Sequence, residues 1–273
     1  PECFRMSSSA ARAFAWSAWL HLALTGWFAY LLLRRLGAPR SGALAGAIVW
    51  QGNGFFIAWI HLPTVLCTAA WLPLILLLCE RTFLRGQSRR AVAAGAALGI
   101  CALAGHPQIF LYVALLTAGY LIARGLSRDL GLSLRQRLQR LALAASLSAA
   151  TGIGIAAVQL LPTMALLRIA HRTFQPGPDS YQAYLSHALP GLNLTGLIVP
   201  HPFGHPALGS YIGRDNYAEF ALFLGPLALA LALWAALTVR TWLARFLGIT
   251  VLVTFLLALG TPLNWPFYHW VPG

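Results

Sequence analysis

One stretch limits what this chain can become. An apolar run extends from Ala91 to Ala123 and is interrupted by Ala104-Gly105-His106-Pro107-Gln108. A run of that length exceeds one membrane crossing, which takes roughly 20 apolar residues at about 1.5 Å of rise each. The interruption therefore predicts two helices. Pro107 suits the first turn of a helix, where its missing N–H costs nothing, and Gly105 suits the end of the helix before it. His106 and Gln108 then fall at a helix–helix corner, at one face of a membrane.

Composition gives the solvent. The chain is 59% hydrophobic and 9% charged, against about 25% charged residues in a soluble domain. Its mean hydropathy is +0.70. These values predict an all-α integral membrane protein with the lipid bilayer as its first partner. The formal charge of +13 is carried by Arg alone, in short clusters between apolar runs, which is the pattern of cytoplasmic loops. No basic stripe with interleaved aromatics asks for nucleic acid. Cys3, Cys67, Cys79 and Cys101 form no CxxC pair and read as small hydrophobes rather than a disulfide or metal framework. The chain starts at Pro1 without a leader and stops at Gly273 after an aromatic, proline-rich stretch, so we expect both ends to have been cut from a longer protein.

Apolar runs with their flanks predict about eight crossings within a single polytopic domain, residues 1–273. They lie near 13–33, 41–60, 62–79, the two halves flanking His106, 141–161, 219–239 and 246–259. If Arg34, Arg35 and Arg40 are cytoplasmic, alternation puts most other arginines on the same side and leaves Arg5, Arg12, Arg168, Arg172 and Arg214 outside. The imidazoles sort oppositely: His61, His106, His171, His187, His201, His205 and His269 fall at or beyond outer helix ends, and His21 alone lies within a crossing. Gln51, Asn53, Gln108 and Gln159 also sit near outer ends. Insertion into a bilayer does not require this asymmetry, so it points to chemistry on the outer face.

The connection from residue 162 to 218 is long and rich in turn formers, and loops longer than about 15 residues are usually functional or disordered. Its interspersed Tyr and Leu residues predict a packed extracytoplasmic structure of short surface helices. Each candidate site has a structural and a chemical reading. His106 and Gln108 cap a corner or donate to a polar, phosphorylated substrate. Asn53, in the Gly52-Asn53-Gly54 turn, and His61 widen that corner or serve packing. Asn216 and Glu219 form a capping box for the next crossing; alternatively Asp215 or Glu219 is a general base and Arg214 holds a phosphate. Arg168 and Arg172 touch lipid headgroups or a lipid-linked phosphate. His201 and His205 lack an HExxH pattern, and Pro202 and Gly204 between them disfavour a helical metal pair. No cofactor is fixed by these residues; a divalent metal stays open.

Several stretches, taken in order, resemble the YfhO family of bacterial multi-pass membrane proteins. They are His21-Leu22 through Leu33-Arg34-Arg35-Leu36-Gly37; Gly54-Phe55-Phe56 with His61; Trp71-Leu72-Pro73-Leu74 leading to Glu80-Arg81; Leu103-Ala104-Gly105-His106-Pro107-Gln108 with Tyr112; Gln159-Leu160-Leu161-Pro162; and Leu259-Gly260-Thr261-Pro262-Leu263. That family is related to the GT-C glycosyltransferases. The resemblance implies a GT-C-like bundle in the bacterial cytoplasmic membrane, with an active site on the extracytoplasmic face. It also implies a polyprenyl-phosphate sugar as donor and an envelope glycan, polymer or lipid as acceptor. It places the principal catalytic acid in a first outer loop ahead of Pro1, so the fragment is expected to be catalytically incomplete. The alternatives are a transporter of lipid-linked glycans and a non-catalytic membrane scaffold.

Overall fold

The apolar runs fold as helices, and several end at a glycine: Gly52 follows the helix that ends at Gln51, and Gly86, in the left-handed region, follows the one that ends at Arg85. The structure, a computed structural model, describes residues 8–167, 169, 178–214 and 216–270. Among these residues twelve α-helices follow in order: α1 Ser8–Arg35, α2 Arg40–Gln51, α3 Gly54–Ala58, α4 Pro63–Ala69, α5 Leu72–Arg85, α6 Ser88–Leu103, α7 Pro107–Leu126, α8 Leu134–Leu167, α9 Pro178–Ser186, α10 Pro226–Thr238, α11 Trp242–Ala258 and α12 Asn264–Trp270. Short 3-10 turns cover Trp59–His61, Gly191–Leu197, Pro206–Leu208 and Tyr217–Phe220. No strand occurs among the described residues.

Among the described residues, five stretches are long and apolar enough to cross a membrane: Ser8–Arg35, Arg40–His61, Pro63–Arg85, Pro107–Leu126 and Leu134–Leu166. The other three expected crossings correspond to shorter helices, α6 with 16 residues, α10 with 13 and α11 with 17. The expected start of the seventh crossing differs most. Asn216 caps only the 3-10 turn Tyr217–Phe220, its side chain accepting from the Ala218 amide. The long helix waits for Pro226, because Gly225 adopts φ +94 and breaks continuity. Conversely, α8 continues through Pro162 to Leu167, so the long connection begins later than the proline suggested. A proline within a helix removes one backbone donor without ending the helix when its neighbours hold it.

The chain divides into two compact units, Pro1–Gln159 and Leu160–Gly273. In the first, Ile75, Cys79, Ala94, Ala97, Cys101, Val113, Leu121 and Ala144 form one core cluster. The two cysteines in it are free thiols, and Cys101 Sγ donates to the Thr68 carbonyl at 3.3 Å. A second cluster joins Ala18, Phe56, Leu66 and Ala69, with Ile109 packed against it. Small residues bring α6 against α8: a Cβ on Gly95 would lie 2.5 Å from the Ser148 carbonyl oxygen, and one on Gly99 would lie 2.6 Å from Ile155 Cβ. Ser148 Oγ seals the contact by donating to the Ala91 carbonyl at 2.9 Å. This is close backbone approach through a Gly-x-x-x-Gly pair, which lets dispersion act where lipid removes the hydrophobic drive.

In the second unit, α9 packs on the α11–α12 corner. Tyr184 donates to Asn264 Oδ1 at 2.7 Å, and the buried Asn264 amide donates to the Leu257 and Thr261 carbonyls. Tyr181 meets Trp265 and Tyr268 edge-on at 5.1 and 5.0 Å. Gly260, at φ +70, is required there, since a Cβ would press to 2.8 Å from Ala188 Cβ.

Gly95→Ala is expected to destabilise the detergent-solubilised chain by about 1–3 kcal/mol, because its Cβ meets unyielding backbone. Gly154→Ala, on α8 with nothing within 4 Å, is expected to be neutral or to stabilise by up to about 1 kcal/mol. Thermal unfolding of the two variants checks the contrast.

Candidate functional site

At one end of the first unit, the turn before α3 and the turn before α7 both carry polar side chains. The backbone turns at Gly105, whose φ is +88, and Pro107 then opens α7. His106 is the N-cap of that helix, its Nδ1 accepting from the Ile109 amide at 3.4 Å. Asn53 does the equivalent work for α3: Oδ1 accepts from the Phe56 amide at 3.1 Å, and Nδ2 donates to the Trp50 carbonyl at 2.6 Å. Each cap supplies an acceptor to a helix-start N–H that has no partner within its helix. The two corners share an end. A Cβ on Gly105 would lie 3.8 Å from Thr64 Cγ2 at the start of α4, and Ile109 packs into the cluster that contains Phe56. Gln108 is exposed and donates to the Tyr112 hydroxyl at 2.9 Å. His61 is exposed and stacks on Trp59 with ring centroids 6.0 Å apart.

The second unit gathers a separate group of side chains. His201 and His205 meet edge to face at 4.8 Å, and His201 Nδ1 lies 2.8 Å from the Tyr217 hydroxyl. Tyr211 and Tyr217 cross at 5.6 Å. Burial pushes the Tyr217 phenol above its usual value, so it stays neutral. Tyr211, Tyr217, Phe203, Phe220 and Asn193 line a cavity of about 20 Å³, room for one water. Arg214 is exposed and donates from Nη2 to the Ser186 carbonyl at 2.9 Å. Glu219, on the same 3-10 turn as Tyr217, is exposed. Its carboxylate has no ion-pair or hydrogen-bond partner among the described residues. Asp215, Arg168 and Arg172 lie outside the described residues, as do Glu2 and His171. No group of three or more His, Cys, Asp or Glu that could hold a metal ion occurs among the described residues.

The largest polar assembly was not apparent in the sequence. At the opposite, arginine-rich end of the first unit, Arg124 on α7 grips Glu80 on α5 bidentately, Nε to Oε2 at 3.0 Å and Nη2 to Oε1 at 3.1 Å. The Tyr120 hydroxyl donates to the same carboxylate at 3.0 Å, and Arg124 Nη1 reaches Ser127 Oγ and Asp129 Oδ1 at 2.8 and 2.7 Å. Glu80 and Arg124 are only 4% and 2% exposed, so each charge depends on the other. Two arginines of α8 complete the assembly. Arg137 Nη1 donates to the carbonyls of Gly125, Leu126 and Ser127, and Arg140 Nη1 to those of Phe83 and Leu84. They neutralise the carbonyl ends of α7 and α5, where a cation also meets the negative end of the helix dipole. The available signal was a lone acid ending an apolar helix, with Tyr120 and Arg124 one helical turn apart on one face.

No protein-family model, curated protein or solved structure matches this chain.

Two outcomes follow from the ion pair. Arg124→Met, which strands a buried carboxylate, should cost about 3–5 kcal/mol, and the double variant Glu80→Met/Arg124→Met should cost less than the two single changes added together. A double-mutant cycle by thermal or denaturant unfolding reads both. Asp129 gives the pH dependence. Burial raises its carboxyl, but hydrogen bonding from Ser127 and the Arg124 charge outweigh burial and hold it below the usual aspartate value. A depressed native value stabilises above the unfolded value of about 3.9 and loses that contribution as pH falls through the lower native one. Asp129→Asn should therefore flatten the stability profile below about pH 4, measured by unfolding across an acid series.

Proposed function

We propose that this chain is the membrane-embedded part of an extracytoplasmic glycosyltransferase, which moves a sugar from a polyprenyl-phosphate carrier to a cell-envelope glycan, polymer or lipid. The observation that carries the reading is the segment from 191 to 220. There His201, His205, Tyr211 and Tyr217 gather beside the exposed Glu219, which has no ion-pair partner among the described residues, and the exposed Arg214. Aromatic and imidazole faces suit the apolar face of a pyranose, with polar tips for its hydroxyls. A carboxylate takes the proton of the attacking acceptor hydroxyl. That oxygen bonds to the anomeric carbon as the bond from that carbon to the phosphate oxygen breaks. The polyprenyl phosphate leaves, and a guanidinium matches its charge and shape.

The ordered stretches that resemble the YfhO family, among them Leu103-Ala104-Gly105-His106-Pro107-Gln108 and Leu259-Gly260-Thr261-Pro262-Leu263, favour the same chemistry. Glu219 is then the candidate base within the described chain, Arg214 the candidate phosphate ligand, and Arg168 and Arg172 further candidates. In this reading the arginine-rich end of the first unit faces the cytoplasm, by the rule that cationic loops stay inside.

A second reading, a non-catalytic membrane scaffold, is favoured by one observation. The polar groups of the first unit expected to bind substrate, His106 and Asn53, are occupied as helix caps.

The full-length protein, reconstituted in proteoliposomes with a radiolabelled polyprenyl-phosphate sugar, is expected to transfer label to an envelope acceptor fraction. Glu219→Gln is expected to lower that transfer by about 10²- to 10⁴-fold. No transfer from any carrier tested would leave the scaffold as the better account.

A further inference from the structure

The arginines at the helix ends of the first unit fall into two populations, and they have different uses. Arg124, Arg137 and Arg140 are committed inward, to a carboxylate and to helix-end carbonyls. A second group comes from the end of α1 (Arg35), the last turns of α5 (Arg81 and Arg85) and the first turn of α6 (Arg89 and Arg90). Gly86, in the left-handed region at φ +62, makes the tight turn that sets Arg85 and Arg89 on either side of one corner. α5 packs against both α1 and α6, which brings these arginines into one neighbourhood, where the Arg90 guanidinium feels the charges of Arg85, Arg81, Arg89 and Arg35. Each is exposed or half-buried.

None of these guanidinium groups has a carboxylate partner among the described residues, where both ion pairs belong to Arg124. The carboxylates described nearby, Glu80 and Asp129, are both gripped by Arg124. Arg90 Nε donates to Gln87 Oε1 at 2.6 Å, which fixes the plane of its fork. Like charges held this close repel, and the chain supplies no described counter-charge although it builds a full ion-pair network one helix away. No carboxylate among the described residues balances these charges, which leaves them open to an external anion.

We infer that this corner binds the headgroup of an anionic lipid carrying two phosphodiesters, clasped by Arg35, Arg81, Arg85, Arg89 and Arg90. Guanidinium forks bind phosphate oxygens bidentately, and a two-phosphate headgroup answers cations arriving from three separate helices better than a single phosphate does. Arg35, Arg81 and Arg85 also sit at the ends of stretches long enough to span a bilayer, Ser8–Arg35 and Pro63–Arg85, the depth at which lipid phosphates lie and basic pockets between helices collect them. The inference is independent of the transferase reading, because it uses other residues, all of them in the first unit.

The test uses the full 273-residue chain purified in a zwitterionic detergent, titrated with cardiolipin, with phosphatidylcholine and with inorganic pyrophosphate. Lipid adducts are resolved by native mass spectrometry and protection by thermal shift. Cardiolipin is expected to bind and protect; phosphatidylcholine and pyrophosphate are not. The variant Arg85→Gln/Arg89→Gln/Arg90→Gln should bind cardiolipin on the order of 100-fold more weakly, at about five-fold per arginine near a charged headgroup. Arg128→Gln/Arg135→Gln, which removes exposed arginines from the α7–α8 side, should bind as the parent does. Both variants should keep the parent unfolding temperature without lipid, since none of the replaced groups holds a helix end or a carboxylate. Equal cardiolipin binding by the triple variant overturns the site. Protection by pyrophosphate alone makes it a soluble-phosphate site and overturns the lipid assignment, and an equal loss in the Arg128/Arg135 variant reduces it to bulk charge.

Discussion

The first unit depends on a carboxylate that has been taken out of water. Glu80 lies at the end of an apolar helix, and an isolated buried carboxylate is so costly that it normally takes up a proton instead. Arg124 and Tyr120, a turn apart on α7, supply its three hydrogen bonds. Because the partners come from different helices, the charge balance holds only when α5 and α7 are side by side in one register. Arg137 and Arg140 extend the same constraint to α8, each reaching carbonyls that the neighbouring helix leaves without donors. Lipid cannot satisfy those carbonyls, so the pairing of helices and the satisfaction of backbone are here a single event.

Packing supports this electrostatic frame from within the bundle. Gly95 and Gly99 let α6 lie against α8 at backbone distance, and the cluster around Phe56, Leu66 and Ile109 ties the far end together. At that far end the breaks in the apolar runs are completed by the side chains beside them: Asn53 and His106 each supply the acceptor that the helix start lacks. Polarity at the two ends thus has different meanings, guanidinium groups closing helix C-termini at one and side-chain acceptors closing helix N-termini at the other.

The second unit uses aromatic edges and short 3-10 turns where the first uses long helices. Asn264 and Tyr184 bind α9 to the corner made by Gly260 and Pro262, and Tyr217 joins His201 to the turn that carries Glu219. An ordered connection of this kind positions side chains on rigid backbone, which binding and group transfer require. The transferase proposal draws on this property, whereas the lipid proposal draws on surplus cations at the end of the first unit.

Much of the architecture was legible because it follows from local rules. The Gly105–Pro107 break, the helical class and the packed nature of the segment after residue 178 come from propensity, hydropathy and turn chemistry, which act over a few residues. The candidate site was legible only in part. Sequence marked His106, Asn53, Arg214 and Glu219 as polar in an apolar chain, but whether a polar group serves a cap or a ligand depends on what its neighbours leave unsatisfied. The same limit explains Glu80 and the arginines. Sequence by itself determined that this chain is helical, apolar and strongly cationic, since those properties belong to residues and their near neighbours. Only the tertiary structure decided which arginines are consumed by Glu80 and the helix ends and which have no carboxylate partner among the described residues, because a charge pair 44 positions apart in the chain exists only once two helices have met.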